Sequence, residues 1–132
     1  LHPELVNAKD ARGFTPLIFA SYFDKKDVVE TLLDFDAEVD AADSSGNTAL
    51  IGVAFKGNTD LGSLLIKKGA DVNTKNNLGI TPLIFASMYN QTKMVALLLK
   101  HKVDESQKDN QEKTALDYAE EKGFKAIVRI LK

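Results

Sequence analysis

Hydrophobic and polar positions recur along the chain with a period of 33 residues. That interval separates Thr15, Thr48, Thr81 and Thr114, and each of these threonines is followed by a short apolar run. A second apolar run, rich in leucine, follows later in each unit. A fixed period of this length is typical of repeat proteins, in which a unit buries its apolar face only against its neighbours. The pattern therefore predicts a stacked array rather than a single closed core.

Each unit is predicted to contain two short helices that follow a turn. Asp10 opens the first turn, because its carboxylate accepts hydrogen bonds from backbone amides two residues on. Thr15 occupies the N-cap position of the next helix, and Pro16 occupies the favoured first helical position. In the second helix, Val28 and Leu32 belong to an apolar stripe with a spacing of three to four residues. The other units repeat this order of turn, helix and helix.

Breaks in the backbone are expected at two points of each unit. The residues between the two helices are of types that enter the left-handed region more readily than others: Asp24, Gly57, Asn90 and Gly123. After the second helix, Gly69 is suited to the same conformation. Lys102 stands in the equivalent position of the next unit and should be strained if it adopts that conformation.

One motif runs through the units: D-x-x-G-x-T-P-L, then a short helix containing Ala, then L-L-x-x-G-A-D-V-N. The match is closest over residues 13–17, 64–73 and 79–83. In this motif the chain resembles the ankyrin repeat. The resemblance implies an all-α fold, an α-solenoid of stacked helix-turn-helix ankyrin repeats joined by hairpin-like turns. The chain departs from the family at the His that commonly follows T-P-L, which is replaced by apolar residues in three units and by an acid in the last: Ile18, Ile51, Ile84 and Asp117.

The chain is expected to form one ankyrin-repeat domain over residues 1–132. Its predicted parts are a leading segment, three full repeats and a C-terminal capping repeat, at residues 1–9, 10–42, 43–75, 76–108 and 109–132. The last unit is predicted to cap the array, because it carries polar residues such as Asp117 and Glu121 and a solvent-facing end must be polar. Residues 1–9 align with the tail of a unit, so they are either a degenerate start or the end of a preceding repeat. The second interpretation, which we favour, predicts an exposed apolar face on the first unit.

The composition fits an ordinary globular protein and removes several function classes. Hydrophobic residues make up 44% of the 132 residues, and 17 Lys and Arg against 19 Asp and Glu give a net charge of −2. The chain thus lacks the basic surplus of a nucleic-acid-binding protein, and no apolar run is long enough to insert into a membrane. Without cysteine there is no disulfide and no thiolate ligand. The absence of a signal-peptide pattern favours a cytoplasmic location, and a chain that begins at Leu1 leaves an exported form open.

Catalytic and metal-binding motifs are missing from the sequence. Ser, His and Asp all occur, but no G-x-S-x-G elbow or phosphate-binding glycine motif frames them. Residues 34–40 have the acidic spacing of a calcium loop, yet Val39 and Ser45 stand where the loop requires Gly and Glu. We therefore expect no catalysis, no cofactor and no bound metal. An enzyme or a small-molecule receptor is the rival class, and it would need a deep pocket with converging polar groups.

The resemblance implies that a partner docks on the turn tips and on the exposed side of the first helix of each unit, which together form the concave face of such arrays. The matching residues are unusually apolar for a predicted surface, and aromatic residues and Met are enriched at interfaces. They are Arg12, Phe14, Tyr22, Phe23, Asn47, Phe55, Lys56, Leu78, Ile80, Met88 and Tyr89. We predict that this face binds another protein, with Phe23 and Tyr89 as the main anchors. The competing interpretation is that several of the rings turn inward and form core between the repeats.

Two further interpretations concern the assembly of the protein. The chain is either a free-standing adaptor or a regulatory or spacer ankyrin domain within a longer polypeptide. Self-association through an uncapped first repeat is also consistent with the sequence. Neither interpretation involves nucleic acid or insertion into a membrane.

Overall fold

Short helices joined by turns make up the computed structural model, which describes residues 3–132. These residues form a 3₁₀ turn, Pro3–Leu5, and eight α-helices without any β-strand. The helices are α1 (Pro16–Tyr22), α2 (Lys26–Asp34), α3 (Ala49–Lys56), α4 (Thr59–Lys67), α5 (Pro82–Met88), α6 (Thr92–Lys100), α7 (Ala115–Lys122) and α8 (Lys125–Leu131). Residues 1 and 2 of the predicted leading segment lie outside the described residues.

The helices form two layers. The odd-numbered helices stack in chain order, α1 on α3, α3 on α5 and α5 on α7. In the second layer α4 packs against α6 and α6 against α8. Each odd-numbered helix also packs against the helix that follows it in the chain. The predicted all-α solenoid of stacked helix pairs is therefore confirmed.

The four threonines of the 33-residue period cap the first-layer helices. The Oγ1 atoms of Thr15, Thr48, Thr81 and Thr114 accept hydrogen bonds from the backbone N–H three residues on, at 3.1, 3.3, 3.2 and 3.1 Å. Each bond satisfies one of the N–H groups that a helix leaves without an internal partner. In the last unit the Asp117 side chain also accepts from the Thr114 N–H at 2.9 Å, which completes a capping box. Asp117 is half-buried by this role rather than lying on the polar outer surface.

The expected left-handed residues are confirmed between the helices and after them. The φ angles of Asp24, Gly57, Asn90 and Gly123 are 59°, 76°, 59° and 71°. Lys102 has a φ of 61°, so the strain expected for a side chain in this region is present. A residue in the left-handed conformation ends the preceding helix, and the chain changes direction there before the next element begins.

The turn tips stack on one another through main-chain hydrogen bonds. The N–H of Ser44 donates to the Arg12 carbonyl at 2.9 Å, and the N–H of Asn77 donates to the Ser45 carbonyl at 3.0 Å. A Cβ atom on Gly13, where φ is 80°, would lie 2.7 Å from the Ser44 nitrogen. Glycine is therefore required at this tip by its backbone conformation and by the close approach of the next turn.

A second ladder of hydrogen bonds joins the units on the other side of the array. Side-chain oxygens of Asn7, Asp40 and Asn73 accept from backbone N–H groups 31 residues further along, at 2.9, 3.0 and 2.8 Å. Asn7, in the leading segment, thus makes the same contact as its equivalents in the full repeats. The regular spacing of these bonds keeps successive units in register.

The core runs along the array between the two layers. Its largest fully buried side chains include Leu17, Leu50 and Leu83, one from each full unit. Ile18, Ile51 and Ile84, at the position where the family commonly has His, are also buried. Apolar packing thus replaces the histidine there.

The two ends of the array differ in polarity. Val28 in α2 is 48% exposed, whereas Leu61, its equivalent in α4, is 1% exposed. The first unit has no full unit before it in the described chain, whereas the second unit follows the first. At the opposite end Glu120, Glu121 and Lys122 are exposed, as expected for a cap. The first unit thus exposes the apolar side chain of Val28, and the assignment of residues 1–9 to a preceding repeat stays a prediction.

Candidate functional site

Three equivalent positions in each unit lie in the first-layer helix or at the residue that ends it. They are spaced at i, i+3 and i+4, which places them on one side of a helix. The first position holds Phe19, Gly52, Phe85 and Tyr118 in the four units. The second holds Tyr22, Phe55, Met88 and Glu121, and the third holds Phe23, Lys56, Tyr89 and Lys122. In the first three units this surface is therefore mostly aromatic, and in the fourth it is charged at two of its three positions.

The predicted anchors lie on the surface rather than in the core. Phe23 is 49% exposed, Tyr89 is 47% exposed and Tyr22 is 40% exposed. Arg12, Lys56 and Leu78 are also exposed, and Phe14, Asn47, Phe55 and Met88 are half-buried. The competing interpretation, in which the rings pack inward, therefore holds for none of these three rings.

The rings form two clusters with an interval between them. In the first cluster Phe23 lies 4.7 Å from Phe19 and 5.4 Å from Tyr22, measured between ring centroids. In the second, Phe55 lies 5.8 Å from Phe85 and 4.7 Å from Tyr89. We call the surface formed by Phe19, Tyr22, Phe23, Phe55, Phe85, Met88 and Tyr89 the aromatic face. It extends over the first three units and brings together residues that are up to 70 positions apart in the sequence.

Ile80 corrects the predicted set of surface residues. It is only 7% exposed and belongs to the core. Its backbone N–H donates to Asn76 Oδ1 at 3.0 Å and its carbonyl accepts from the Asn76 N–H, so the turn closes around it. The Ile80 side chain packs into the core, and Leu78 is the exposed apolar residue of this tip. Ile80 is not available to a partner.

Phe19 and Phe85 were missed by the sequence analysis. Phe19 is exposed and Phe85 is half-buried, and each contacts a predicted ring. The sequence did carry a signal, because each stands three residues before a predicted residue and so lies on the same side of its helix.

Two basic residues next to the aromatic face, Arg12 and Lys56, have acidic partners. Arg12 stacks on the Phe14 ring, 4.3 Å from its centroid, and pairs with Asp10 at 3.1 Å. Lys56 Nζ donates to the Tyr22 carbonyl at 2.8 Å and lies 3.5 Å from a carboxylate oxygen of Asp24. Both cations are thereby held over or beside rings, where their charge is partly neutralised.

The Asp10 carboxylate belongs to the same turn. The backbone N–H groups of Phe14 and Arg12 donate to its Oδ1 atom, each at 2.9 Å. The bond from Phe14 is the main cause of a lowered pKa of Asp10, and the Arg12 guanidinium adds to it. Asp10 is therefore fully ionised near neutral pH and remains paired with Arg12.

A cavity of about 470 Å³ opens between the two ring clusters. Apolar side chains of α1, α3 and α5 make up most of its wall, including Phe19, Tyr22, Phe55 and Phe85. One end is bordered by polar residues of the turns, among them Asp43 and Asn47. The cavity lies on the aromatic face and is apolar where the rings surround it.

Other kinds of site receive no support from the geometry. Among residues 3–132, no three His, Asp or Glu side chains come together in a way that would hold a metal ion. Within the same range, no helix is long and apolar enough to cross a membrane.

Asn47, which was predicted as a contact residue, accepts a hydrogen bond from the side chain of Asn76 at 3.0 Å and so also joins two units.

Comparison with protein families agrees with the geometry. The sequence model of the family described as ankyrin repeats (3 copies) matches residues 1–76 and 51–132, which together cover the whole chain. No curated protein matches the sequence. Ankyrin repeats are in general protein–protein interaction modules, and the family is typically non-enzymatic. The two-layer array of helix pairs and the family match lead to one conclusion, that the chain belongs to the ankyrin repeat family.

Proposed function

We propose that the protein is a non-catalytic module that binds a partner protein through the aromatic face, on the concave side of the array. The observation that carries this proposal is the exposure of three rings of the aromatic face, Tyr22 and Phe23 in the first cluster and Tyr89 in the second. A contiguous exposed apolar patch on a folded protein generally marks an interaction site. Aromatic residues are also the residues most often responsible for binding energy.

The fixed geometry of the rings favours tight binding. They lie on stacked helices, and several are held by contacts with neighbouring rings, so little conformational entropy would be lost when a partner binds. The corresponding positions of the last unit hold Glu121 and Lys122, which are exposed and charged. We therefore infer that the partner covers the first three units and that its apolar contacts end before the fourth.

The test is capture of the partner from the native source with purified protein as bait. The double variant Phe23→Ala/Tyr89→Ala is expected to lose captured proteins that the wild type retains. The matched control is Phe35→Ala, because Phe35 is an equally exposed ring that follows the second-layer helix α2. Proteins that depend on Phe23 and Tyr89 but not on Phe35 support the proposal. Capture by the double variant with wild-type affinity contradicts it.

The same experiment separates an adaptor from a regulatory or spacer domain. A captured protein encoded separately supports an adaptor. A ligand that proves to be another part of the same polypeptide supports a regulatory domain. In both cases the aromatic face is the binding surface.

Self-association through the first unit is a second proposal, favoured by the exposure of Val28. A groove of about 650 Å³ lies next to it and is lined by Pro16, Phe19 and other residues of the first unit. Because the last unit is polar, we propose that two copies meet through their first units rather than head to tail. Sedimentation equilibrium over a range of concentrations should detect a dimer, and Val28→Lys should abolish it. A wild-type protein that is monomeric at every concentration contradicts this proposal.

A further inference from the structure

Gly52 interrupts an aromatic row. The equivalent position holds a ring in the first, third and fourth units, namely Phe19, Phe85 and Tyr118. Only the second of the four units therefore lacks a side chain at this point. Gly52 lies inside helix α3, and glycine in a helix interior lowers the stability of the helix relative to alanine.

Neither the backbone nor the packing of the described residues requires glycine here. Gly52 has an ordinary helical conformation, and a Cβ atom would meet only Tyr22 Cδ1, at 3.7 Å, which is a normal contact. Gly62 in the next helix is different, because a Cβ atom there would lie 3.1 Å from Met94 Cε and 3.2 Å from Leu97 Cδ2. The space at Gly62 is occupied by neighbours, whereas the space at Gly52 is open.

The open space is the cavity between the two ring clusters. Gly52 is part of its wall, with Phe19 on the first-cluster side and Phe85 on the second-cluster side. Ring contacts occur within each cluster, and none among the described residues joins the two clusters. The cavity thus occupies the position that a ring at residue 52 would fill.

The neighbouring unit shows what such a ring would contact. Phe85 in α5 packs edge-on against Phe55 in α3, the neighbouring first-layer helix, with 5.8 Å between the ring centroids. One period earlier, the same pair of positions is Gly52 and Tyr22, and Tyr22 is the residue that a Cβ atom at 52 would touch. An aromatic side chain that enters from outside would therefore find a ring contact like that of Phe85. The depth of a ring in this row differs between units, since Phe19 is exposed, Phe85 is half-buried and Tyr118 is buried.

The charge around the cavity favours a basic neighbour for that ring. Arg12 and Lys56 are already paired with acids. Asp43 lines the cavity and accepts hydrogen bonds at Oδ1 from two backbone N–H groups, but it has no ion pair among the described residues. Most acids of the first unit lie elsewhere, in α2 and the loop after it, so Asp43 is the one acidic residue of the described chain that lines the cavity. A cationic side chain beside the incoming ring would be attracted to Asp43.

We propose that the gap at Gly52 is a socket for one aromatic side chain of a partner polypeptide, in a segment that carries Lys or Arg beside that side chain. The inference rests on the proposed function, because it names the chemistry that the aromatic face recognises. The ring would fill the interval between the clusters, and the basic neighbour would lie near Asp43. Removal of the side chain at residue 52 thus serves binding at a cost in helix stability.

Two substitutions of Gly52 distinguish binding in the socket from binding to the rest of the aromatic face. Gly52→Phe fills the cavity with a ring from the chain itself, in the contacts that Phe85 makes one period later. Gly52→Ala is the matched control, because it gives the helix a better residue and leaves most of the cavity open. Circular dichroism and thermal unfolding establish that both variants are folded. Gly52→Leu fills the same space if Gly52→Phe fails to fold.

The probes are peptides selected from a random display library against the wild-type protein and then synthesised. We expect the selected peptides to share an aromatic residue with Lys or Arg next to it. Isothermal titration calorimetry should show that Gly52→Phe weakens binding about tenfold or more, whereas Gly52→Ala binds like the wild type. Replacing the aromatic residue of the peptide by Ala should cause a similar loss and should abolish the difference between the two variants.

The outcomes distinguish this inference from the proposed function. If the peptides bind Gly52→Phe as tightly as the wild type but lose affinity for Phe23→Ala/Tyr89→Ala, the face binds protein and the socket does not exist. If neither set of substitutions changes their affinity, both proposals fail. Indole, titrated as a free small molecule, tests the other occupant. If indole saturates the cavity and no selected peptide depends on Gly52, the site takes a small molecule and the socket for a polypeptide is overturned.

Discussion

Tyr118 and Asp109 form a buried polar pair in the last unit. The Tyr118 hydroxyl donates a short hydrogen bond to Asp109 Oδ2, and the N–H groups of Gln111 and Lys113 donate to Oδ1. Burial opposes ionisation of Asp109, yet these bonds together hold the pKa of its carboxyl below the usual range. Burial is also the main cause that raises the pKa of Tyr118 to about 12, and the bond to Asp109 adds to it. The pair replaces an apolar contact at the capping end of the core.

The raised pKa of Tyr118 predicts a loss of stability in alkali. An unperturbed tyrosine has a pKa of 10.0, so the stabilisation is complete below pH 10 and is lost as the pH rises through about 12. The shift corresponds to roughly 3 kcal/mol of unfolding free energy. Urea titrations at a series of pH values should show this loss in the wild type. In Tyr118→Phe the additional alkaline loss should be absent.

The phenylalanine variant also provides the control at neutral pH. It leaves Asp109 Oδ2 buried without its donor, which should lower the free energy of unfolding by about 1–3 kcal/mol. Lysines titrate in the same alkaline range, but they are common to both proteins and cancel in the difference. Parallel pH profiles for the two proteins would show that the Tyr118 hydroxyl does not titrate as described.

Single residues were predicted from the sequence where a local rule decides their role. The left-handed conformation of Asn90 and the capping function of Thr81 follow from backbone and side-chain chemistry alone. Ile80 was predicted wrongly to lie on the surface, because the position is half-buried in the other units and the spacing does not show that an isoleucine there packs into the core. The cavity at Gly52 could not be predicted from the sequence of the second unit alone. It is recognised only from the structure, which shows rings of the first and third units on its two sides.

The second-layer helices begin in different ways although they occupy equivalent positions. In α4, Asn58 Oδ1 accepts from the Leu61 N–H at 3.1 Å, and its Nδ2 donates to Asp24 at 2.8 Å. The residues before α2, α6 and α8 are Lys25, Gln91 and Phe124, and none of them provides a side-chain cap. The Gln91 side chain does not cap α6. Its Nε2 atom donates to the Phe55 carbonyl at 2.9 Å, a hydrogen bond that joins the third unit to the second. These helices therefore depend more on packing than on capping.

Asn58 should accordingly contribute more to stability than its equivalents. We expect Asn58→Ala to lower the free energy of unfolding by about 1 kcal/mol, since it removes the cap of α4. Conversely, Lys25→Asn supplies an acceptor to the uncapped α2 and should raise the free energy of unfolding by about 0.5–1 kcal/mol over Lys25→Ala. Urea denaturation measures both changes. Equal stability of Lys25→Asn and Lys25→Ala would refute the role assigned to this position.

Elements as a whole were predicted more completely than the surface they form. The period placed every helix, because threonine caps, prolines and helix-ending residues recur at the same interval. The second helix of each unit was recognised by its apolar stripe. The side chains that lie on the surface could not all be predicted, because an aromatic ring such as Phe19 fits either a core position or an exposed one. Whether the ring is buried depends on whether another unit covers it.

The molecule as a whole is an array whose units depend on their neighbours. In such an array the stability of a unit comes largely from the interfaces with adjacent units. The first unit has one such interface among the described residues, and the inner units have two. The aromatic face runs across the first three units, so its shape depends on all of their interfaces, whereas the polar last unit closes the core.

Two adjacent valines in α2 allow the stability cost of one substitution to be compared between a buried and an exposed position of the first unit. Val29 is fully buried and Val28 is half exposed, so the same substitution is made in one helix and in two environments. We expect Val29→Ala to lower the free energy of unfolding by about 2 kcal/mol. Val28→Ala should cost about 0.5 kcal/mol, as at most surface positions. Urea denaturation at low protein concentration gives both values.

The same pair of valines responds to self-association. If two copies cover the first unit, the cost of Val28→Ala should rise with protein concentration, because binding to the folded state adds stability by mass action. The cost of Val29→Ala should not rise in the same way, since its side chain is buried within one chain. A Val28→Ala cost that stays small at every concentration would mean that this apolar face remains exposed to water and that no second copy covers it.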